Sequence, residues 1–177
     1  LDGKGVSQGI SLNLDVVKRA LKFRAGATLM DVFTEQDGVR ERQELTEQFS
    51  GTWSIGYTIE NADIEVNYTG NVYSPMELPT MNAGDFVDPR PAQSPWYSIQ
   101  NIQLTKKLGD GFECFGGVKN LLDWTPWKTL PEGVRYLGNT LDPFQQNTPE
   151  GELVFDPAYV YGPNQGIRGF IGLRHNI

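Results

Sequence analysis

Apolar and polar side chains alternate residue by residue over unusually long stretches, and this constrains the chain more than any other feature. Phe49, Gly51, Trp53, Ile55, Tyr57 and Ile59 alternate with Ser50, Thr52, Ser54, Gly56, Thr58 and Glu60. A period of two places successive side chains on opposite faces of a β-strand. A dozen residues is about twice the usual strand length. The same pattern begins at Ile10, Leu12 and Leu14, and resumes from Leu21 to about Phe33. It returns over Ile64 to Val72, Trp96 to about Leu108, Phe112 to about Leu121, and Ile167 to Ile177. About seven strands in an all-β chain are predicted. Within the fifth, Ile99 lies on the opposite parity to Ile102 and Leu104, which predicts a β-bulge near Gln100.

The connections sort by length. Links one-two, three-four and five-six take about three to five residues, whereas two-three, four-five and six-seven take roughly fifteen, twenty and thirty-five. Outer-membrane barrels have this strict alternation, with short periplasmic turns, long extracellular loops and an apolar exterior. No run of eighteen apolar residues is present, so a helical span is not expected and a strand-built one is. The chain therefore reads as a segment of a transmembrane antiparallel β-barrel in the outer membrane. Trp53, Ile55 and Tyr57 are expected to face lipid, and Ser54, Gly56 and Thr58 the lumen. The alternative is a soluble β-sandwich that binds carbohydrate through exposed Trp and Tyr.

Several chemistries are disfavoured. The net charge of -7 argues against a nucleic-acid partner. One cysteine, Cys114, makes no internal disulfide, and one histidine, His175, builds no His-rich metal site. No nucleophile elbow, P-loop or dinucleotide fingerprint occurs, and no pair of carboxylates is singled out for glycosidase chemistry. Neither enzymatic activity nor a cofactor is expected.

Two motifs carry a resemblance. Ser94-Pro95-Trp96-Tyr97-Ser98-Ile99-Gln100-Asn101-Ile102-Gln103-Leu104-Thr105-Lys106-Lys107, followed by Gly117-Val118-Lys119-Asn120-Leu121-Leu122-Asp123, resembles the penultimate hairpin of TonB-dependent outer-membrane receptors. The Val-x-Asn-Leu-x-Asp element is a hallmark of that family. The ending from Tyr159 through Gly162-Pro163-Asn164-Gln165-Gly166 to Arg174 is similar to the terminal strand of Bacteroidetes-type members. Together the motifs cover about the last eighty residues. Ile177 stands where family chains usually end on an aromatic, and His175 where Tyr is commoner. The resemblance implies that residues 1–177 are the C-terminal portion, about the last third, of a 22-stranded barrel. It implies partners as well: the remaining strands and plug of the same receptor, a TonB-type energy-coupling protein, outer-membrane lipid and a surface lipoprotein. The cargo it implies is an iron complex, haem or a cobalamin-like nutrient.

Trp124, Trp127, Arg135 and Tyr136 in the longest loop are the candidate substrate contacts, since flat rings and a guanidinium suit a macrocycle bearing carboxylates. The same rings equally suit packing of that loop against its neighbours. Lys22, Arg24, Arg168 and Arg174 are candidates to line the lumen, where they form an anion path or meet an acidic plug. Asp85, Asp88 and Glu77 either gather a cation or form a solvated acidic loop. Cys114 reads as a small buried filler, and His175 as an interfacial residue. The Asn67-Tyr68-Thr69 sequon falls in mid-strand and carries no weight.

Overall fold

The structure is a computed structural model that describes residues 3–80, 90–130 and 160–175. Its strands are β1 (Lys4–Lys18), β2 (Leu21–Gln36), β3 (Val39–Arg42), β4 (Phe49–Ile59), β5 (Ile64–Tyr73), β6 (Tyr97–Gly109), β7 (Phe112–Lys119) and β8 (Arg168–His175). All pairings are antiparallel, in the order β1-β2-β4-β5-β6-β7-β8, with β3 paired to β2. The chain is all-β, and no α-helix occurs among the described residues.

The described residues hold eight strands where the periodicity predicts about seven. The additional one, β3, pairs Val39 with Gln36 and Arg42 with Phe33, along the stretch of β2 beyond the end of β4. Asp37 and Gly38 connect it to β2 with φ values of 53° and 76°. Two consecutive positive φ values make the tight hairpin turn for which Asp-Gly is the characteristic sequence. A four-residue strand is too short to declare itself by alternation, whereas the dipeptide does mark the turn.

Short and long connections alternate as predicted. Arg19-Ala20, residues 60–63 and Asp110-Gly111 make the tight turns at one end. The excursions at the other end follow β2, β5 and β7. "Turn end" and "loop end" distinguish them below.

Register carries one continuous face through the whole sheet. Ile10, Leu12 and Leu14 lie opposite Leu29, Ala27 and Ala25, which lie opposite Phe49, Gly51 and Trp53. Trp53, Ile55 and Tyr57 then meet Gly70, Tyr68 and Val66, and the row continues through Ile102 and Leu104 to Val118 and Gly116, and on to Ile171. No second sheet covers this apolar face among the described residues: Leu12 is 70% exposed and Ile171 83% exposed on the outer strands, while Trp53, Ile55, Tyr68 and Ile102 in the middle are half-buried among their neighbours. The opposite face carries Asn13, Asp15, Arg24, Thr52, Ser54, Asn67, Thr69, Asn101, Gln103 and Glu113, which occupy the alternate register positions. Its side chains bond to one another across strands, as in Arg24 Nε to Asp15 at 2.8 Å and Ser11 to Thr28 at 3.0 Å.

The bulge expected near Gln100 is absent. β5 and β6 pair without a break from Ile64 opposite Lys106 to Tyr73 opposite Tyr97, with Gly70 opposite Gln100. The irregularity in β6 lies instead at Lys107 and Gly109, where the strand enters its turn. The change of parity has another cause: the polarity of the faces changes at the loop end. Tyr73, Tyr97 and Ile99 stand on the otherwise polar face and pack with Met76, Leu78 and Tyr161 from the loops. On the apolar face the displaced polar residues satisfy each other, Tyr68 Oη donating to Gln100 Oε1 at 2.6 Å and Gln100 Nε2 to Ser98 Oγ at 3.2 Å.

Buried hydrophobics among the described residues are confined to that loop-end cluster. Among the described residues the architecture is one sheet, with no second layer over its apolar face. A substitution at Gly38 isolates the β3 hairpin. Gly38→Val imposes a β-branched side chain on a left-handed position and is expected to cost about 1–2 kcal/mol. Amide exchange should quicken for Val39 to Arg42 and stay slow in the paired centre of β4 and β5.

Candidate functional site

The loop end of β7 and β8 holds a dense set of side-chain bonds among the described residues. β7 stops at Lys119, and Asn120 takes a left-handed φ of 53°, a conformation Asn tolerates better than most residues. Its buried side chain then bonds in three directions. Asn120 Nδ2 donates to the carbonyls of Trp124 at 2.7 Å and Gln165 at 3.1 Å, and Oδ1 accepts from the Trp124 amide at 3.1 Å. The Asn120 backbone amide donates to Asn101 Oδ1 at 3.1 Å. Three residues on, Asp123 also has positive φ, and its Oδ1 accepts from the Ile167 amide at 2.7 Å. Lys128 Nζ closes the arrangement on Asp123 Oδ2.

Asn120 and Asp123 thus tie the departing end of β7 to the chain immediately before β8, across a connection of more than forty residues. Two glycines permit the approach. A Cβ on Gly166 would lie 2.1 Å from Asp123 Oδ1, and one on Gly162 2.5 Å from the Trp124 ring. The Lys128 ammonium, with the Ile167 amide second, holds the Asp123 carboxyl below the ordinary carboxylate range.

Trp124 and Trp127 belong to the packing around this knot. Trp124 stacks on Tyr97 with centroids 4.2 Å apart and planes at 10°, and meets Tyr161 edge-on at 6.1 Å. Tyr97 Oη donates to the Tyr161 carbonyl at 2.8 Å. Burial pushes the Tyr161 hydroxyl above its usual range. Both tryptophans are half-buried, so each retains part of its surface toward solvent. Arg135 and Tyr136, the other two loop candidates, lie outside the described residues, as do Asp85 and Asp88.

The four basic candidates share the polar face but do not form one cluster. Lys22 and Arg174 line a common concavity of roughly 490 Å³ with Glu65, Asn67, Gln103 and Glu113. On a flat sheet, five strand spacings of about 4.8 Å would separate them by about 24 Å. In the structure they stand at opposite ends of that shared concavity, on the polar face near the turns. Arg174 approaches Glu113 at 3.5 Å, while Arg24 pairs with Asp15 one step farther from the turns. Arg168 is at the loop end, bonded to Gln165, about 20 Å along β8 from Arg174 at about 3.3 Å per residue.

Cys114 is half-buried on the apolar face, opposite Lys106 and Leu173. It is therefore less enclosed than a core filler. His175 stacks on Phe112 at 4.2 Å on that same face at the turn end. No group of three or more potential metal ligands occurs among the described residues.

No family model matches the chain, and no match was found among curated proteins or solved structures.

The roles of Asn120, Asp123, Gly162 and Gly166 are not apparent from spacing, because their partners are distant in sequence. Asn120→Ala removes three side-chain bonds and a residue suited to positive φ, and is expected to cost roughly 3 kcal/mol. Asp123 gives a pH signature. Its folded pKa is depressed, so its contribution is present above the unfolded value of about 3.9 and lost as pH falls through the folded value. Proteolysis at the β7–β8 connection should therefore accelerate in acid for the wild type. Asp123→Asn should be already accelerated at neutral pH, with a flatter pH dependence.

Proposed function

We propose that the chain is a wall segment of a transmembrane β-barrel, in an outer-membrane transporter of the TonB-dependent type that imports an iron complex, haem or a cobalamin-like nutrient. The observation that carries the membrane reading is the apolar face, continuous in register from β1 to β8 and covered by no second layer among the described residues. In water, so large an exposed apolar surface is untenable for a folded monomer. A β-sandwich would bury it beneath a second sheet; the described residues form one sheet.

The dimensions suit a bilayer. From Leu21 to Leu29 is about 26 Å along β2 at about 3.3 Å per residue, or about 20 Å along the membrane normal at a tilt of about 40°. Outer-membrane barrels present an apolar band of about 25 Å flanked by aromatic girdles. Phe49 and Trp96, 5.9 Å apart, stand at the loop end of the band, with Tyr57, Phe112 and His175 toward the turn end. Lys106, outward near the turns, directs its ammonium to the Ala62 carbonyl, keeping charge away from the band's centre. The polar face then becomes the lumen lining, and the charged concavity at its turn end is suited to a polar protein surface such as a plug. The transport reading rests on the sequence resemblance and on this two-faced wall; the loop end, with half-buried Trp124 and Trp127, supplies aromatic surface for a cargo. No covalent chemistry is called for.

The decisive measurement is folding of the full-length protein into lipid vesicles. Ile55→Arg is expected to destabilise by about 2–4 kcal/mol, as for Arg placed in the lipid-facing band, and Ser54→Arg by well under about 1 kcal/mol. Equal costs at the two adjacent positions would refute the assigned faces.

A further inference from the structure

At the loop end, outside the knot, the outward side of the sheet contains a second built pocket of roughly 340 Å³, lined by Arg42, Gln48, Phe49, Glu77, Gln93 and Trp96 among others. Its walls come from the excursion after β2 and from both limbs of the excursion after β5, held by hydrogen bonds from backbone amides. The Leu45 amide donates to the Glu77 carbonyl at 2.9 Å, the Ser94 amide to the Met76 carbonyl at 3.0 Å, and the Phe49 amide to Ser74 Oγ at 3.0 Å. Gln93 Nε2 donates to Glu77 Oε1 at 2.8 Å, holding the amide beside the carboxylate. Trp96 is 57% exposed beside them.

An exposed indole next to a carboxylate, a guanidinium and two amides has the chemistry that recognises a sugar. The ring's apolar C–H face packs on the aromatic, and adjacent hydroxyls each donate and accept with the planar polar groups. A bare phosphate fits less well, because Glu77 offsets the charge of Arg42. Below the pocket the surface turns to hydrocarbon contacts: Leu29 lies opposite Phe49 and is 56% exposed, with Val72 on the same face. A ligand with a sugar above and an acyl chain below meets both.

We propose that this pocket docks the head-group sugar of a glycolipid in the surrounding leaflet. The inference rests on the membrane reading, and its test separates the two. The full-length protein is placed in nanodiscs of phosphatidylethanolamine and phosphatidylglycerol, with or without rough-type lipopolysaccharide. After detergent exchange, retained lipopolysaccharide is counted by native mass spectrometry. The wild type should retain lipopolysaccharide in preference to phospholipid, and Trp96→Ala and Glu77→Gln should each reduce retention about tenfold, as expected for loss of one stacking or polar anchor. Thr58→Ala, on the opposite face at the turn end, should match the wild type. Wild-type retention no greater than that of Trp96→Ala, in protein that is inserted and protease-protected, would overturn the pocket inference and leave the membrane reading standing. Equal affinity for the free core oligosaccharide lacking acyl chains would also overturn it, since the site would then be one for soluble sugar. Failure to enter nanodiscs of either composition would overturn both.

Discussion

Backbone pairing in an unbroken register is the constraint on which everything else in this molecule depends. Side chains alternate faces with a period of two, so a slip of one residue in any strand would turn its apolar set toward the polar side. From β1 through β5 the Cα partners advance without interruption, and β6 holds its register with β5 for its whole paired length. The two chemically distinct faces are a consequence of that register. The long strands make it costly to shift, because many cross-strand side-chain pairs would be mismatched at once.

Where loops pack against the sheet, the same alternation serves a different partner. Tyr73, Tyr97 and Ile99 are apolar on the polar face because Met76, Leu78 and Tyr161 cover them there. In the sequence this is seen as a phase slip in β6, and a bulge is the local explanation for such a slip. The structure keeps the register and changes the environment instead. Strand positions, strand order and the sorting of connections were legible because they depend on local periodicity and on neighbours in sequence. The reversal of polarity was not, because it is produced by residues from a loop some sixty positions away, Tyr161 against Tyr97. β3 escaped for the opposite reason: its signal is a two-residue turn, and alternation over Val39 to Arg42 is too brief to register.

The Asn120–Asp123 knot shows what a short motif can secure over a long distance. The bonds from Asn120 to Gln165 and from Asp123 to Ile167 span forty-five and forty-four residues. Closing so long a loop costs entropy that grows only slowly with its length, so a few well-placed bonds at its base suffice to hold the ends together. The bonds anchor the loop end of the β7–β8 ladder, which pairs from Lys119 opposite Arg168 to Phe112 opposite His175. Of the four loop residues expected to meet a cargo, Trp124 and Trp127 sit at this fixed base. Their position is set by Tyr97 and the knot, and their exposed remainder is consequently a rigid surface.

The two free edges set the terms on which this wall can exist in a membrane. β1 presents fifteen residues and β8 eight, and each lacks a ladder on its outer side among the described strands. In the proposed membrane setting lipid offers no hydrogen bonds to such groups, so each edge would require another strand. They cannot satisfy one another in an antiparallel wall. Counting along β1, β2, β4, β5, β6, β7 and β8, directions alternate, and β1 and β8 both run from the loop end to the turn end. Pairing them directly would make a parallel ladder. An antiparallel closure therefore needs an odd number of further strands between them, whichever polypeptide supplies these. On the proposed reading register would also dictate their chemistry: a strand beside β1 would have to place apolar residues opposite Ile10, Leu12 and Leu14, and polar ones opposite Ser11, Asn13 and Asp15. A strand beside β8 would have to continue the apolar row from Ile171 and Leu173.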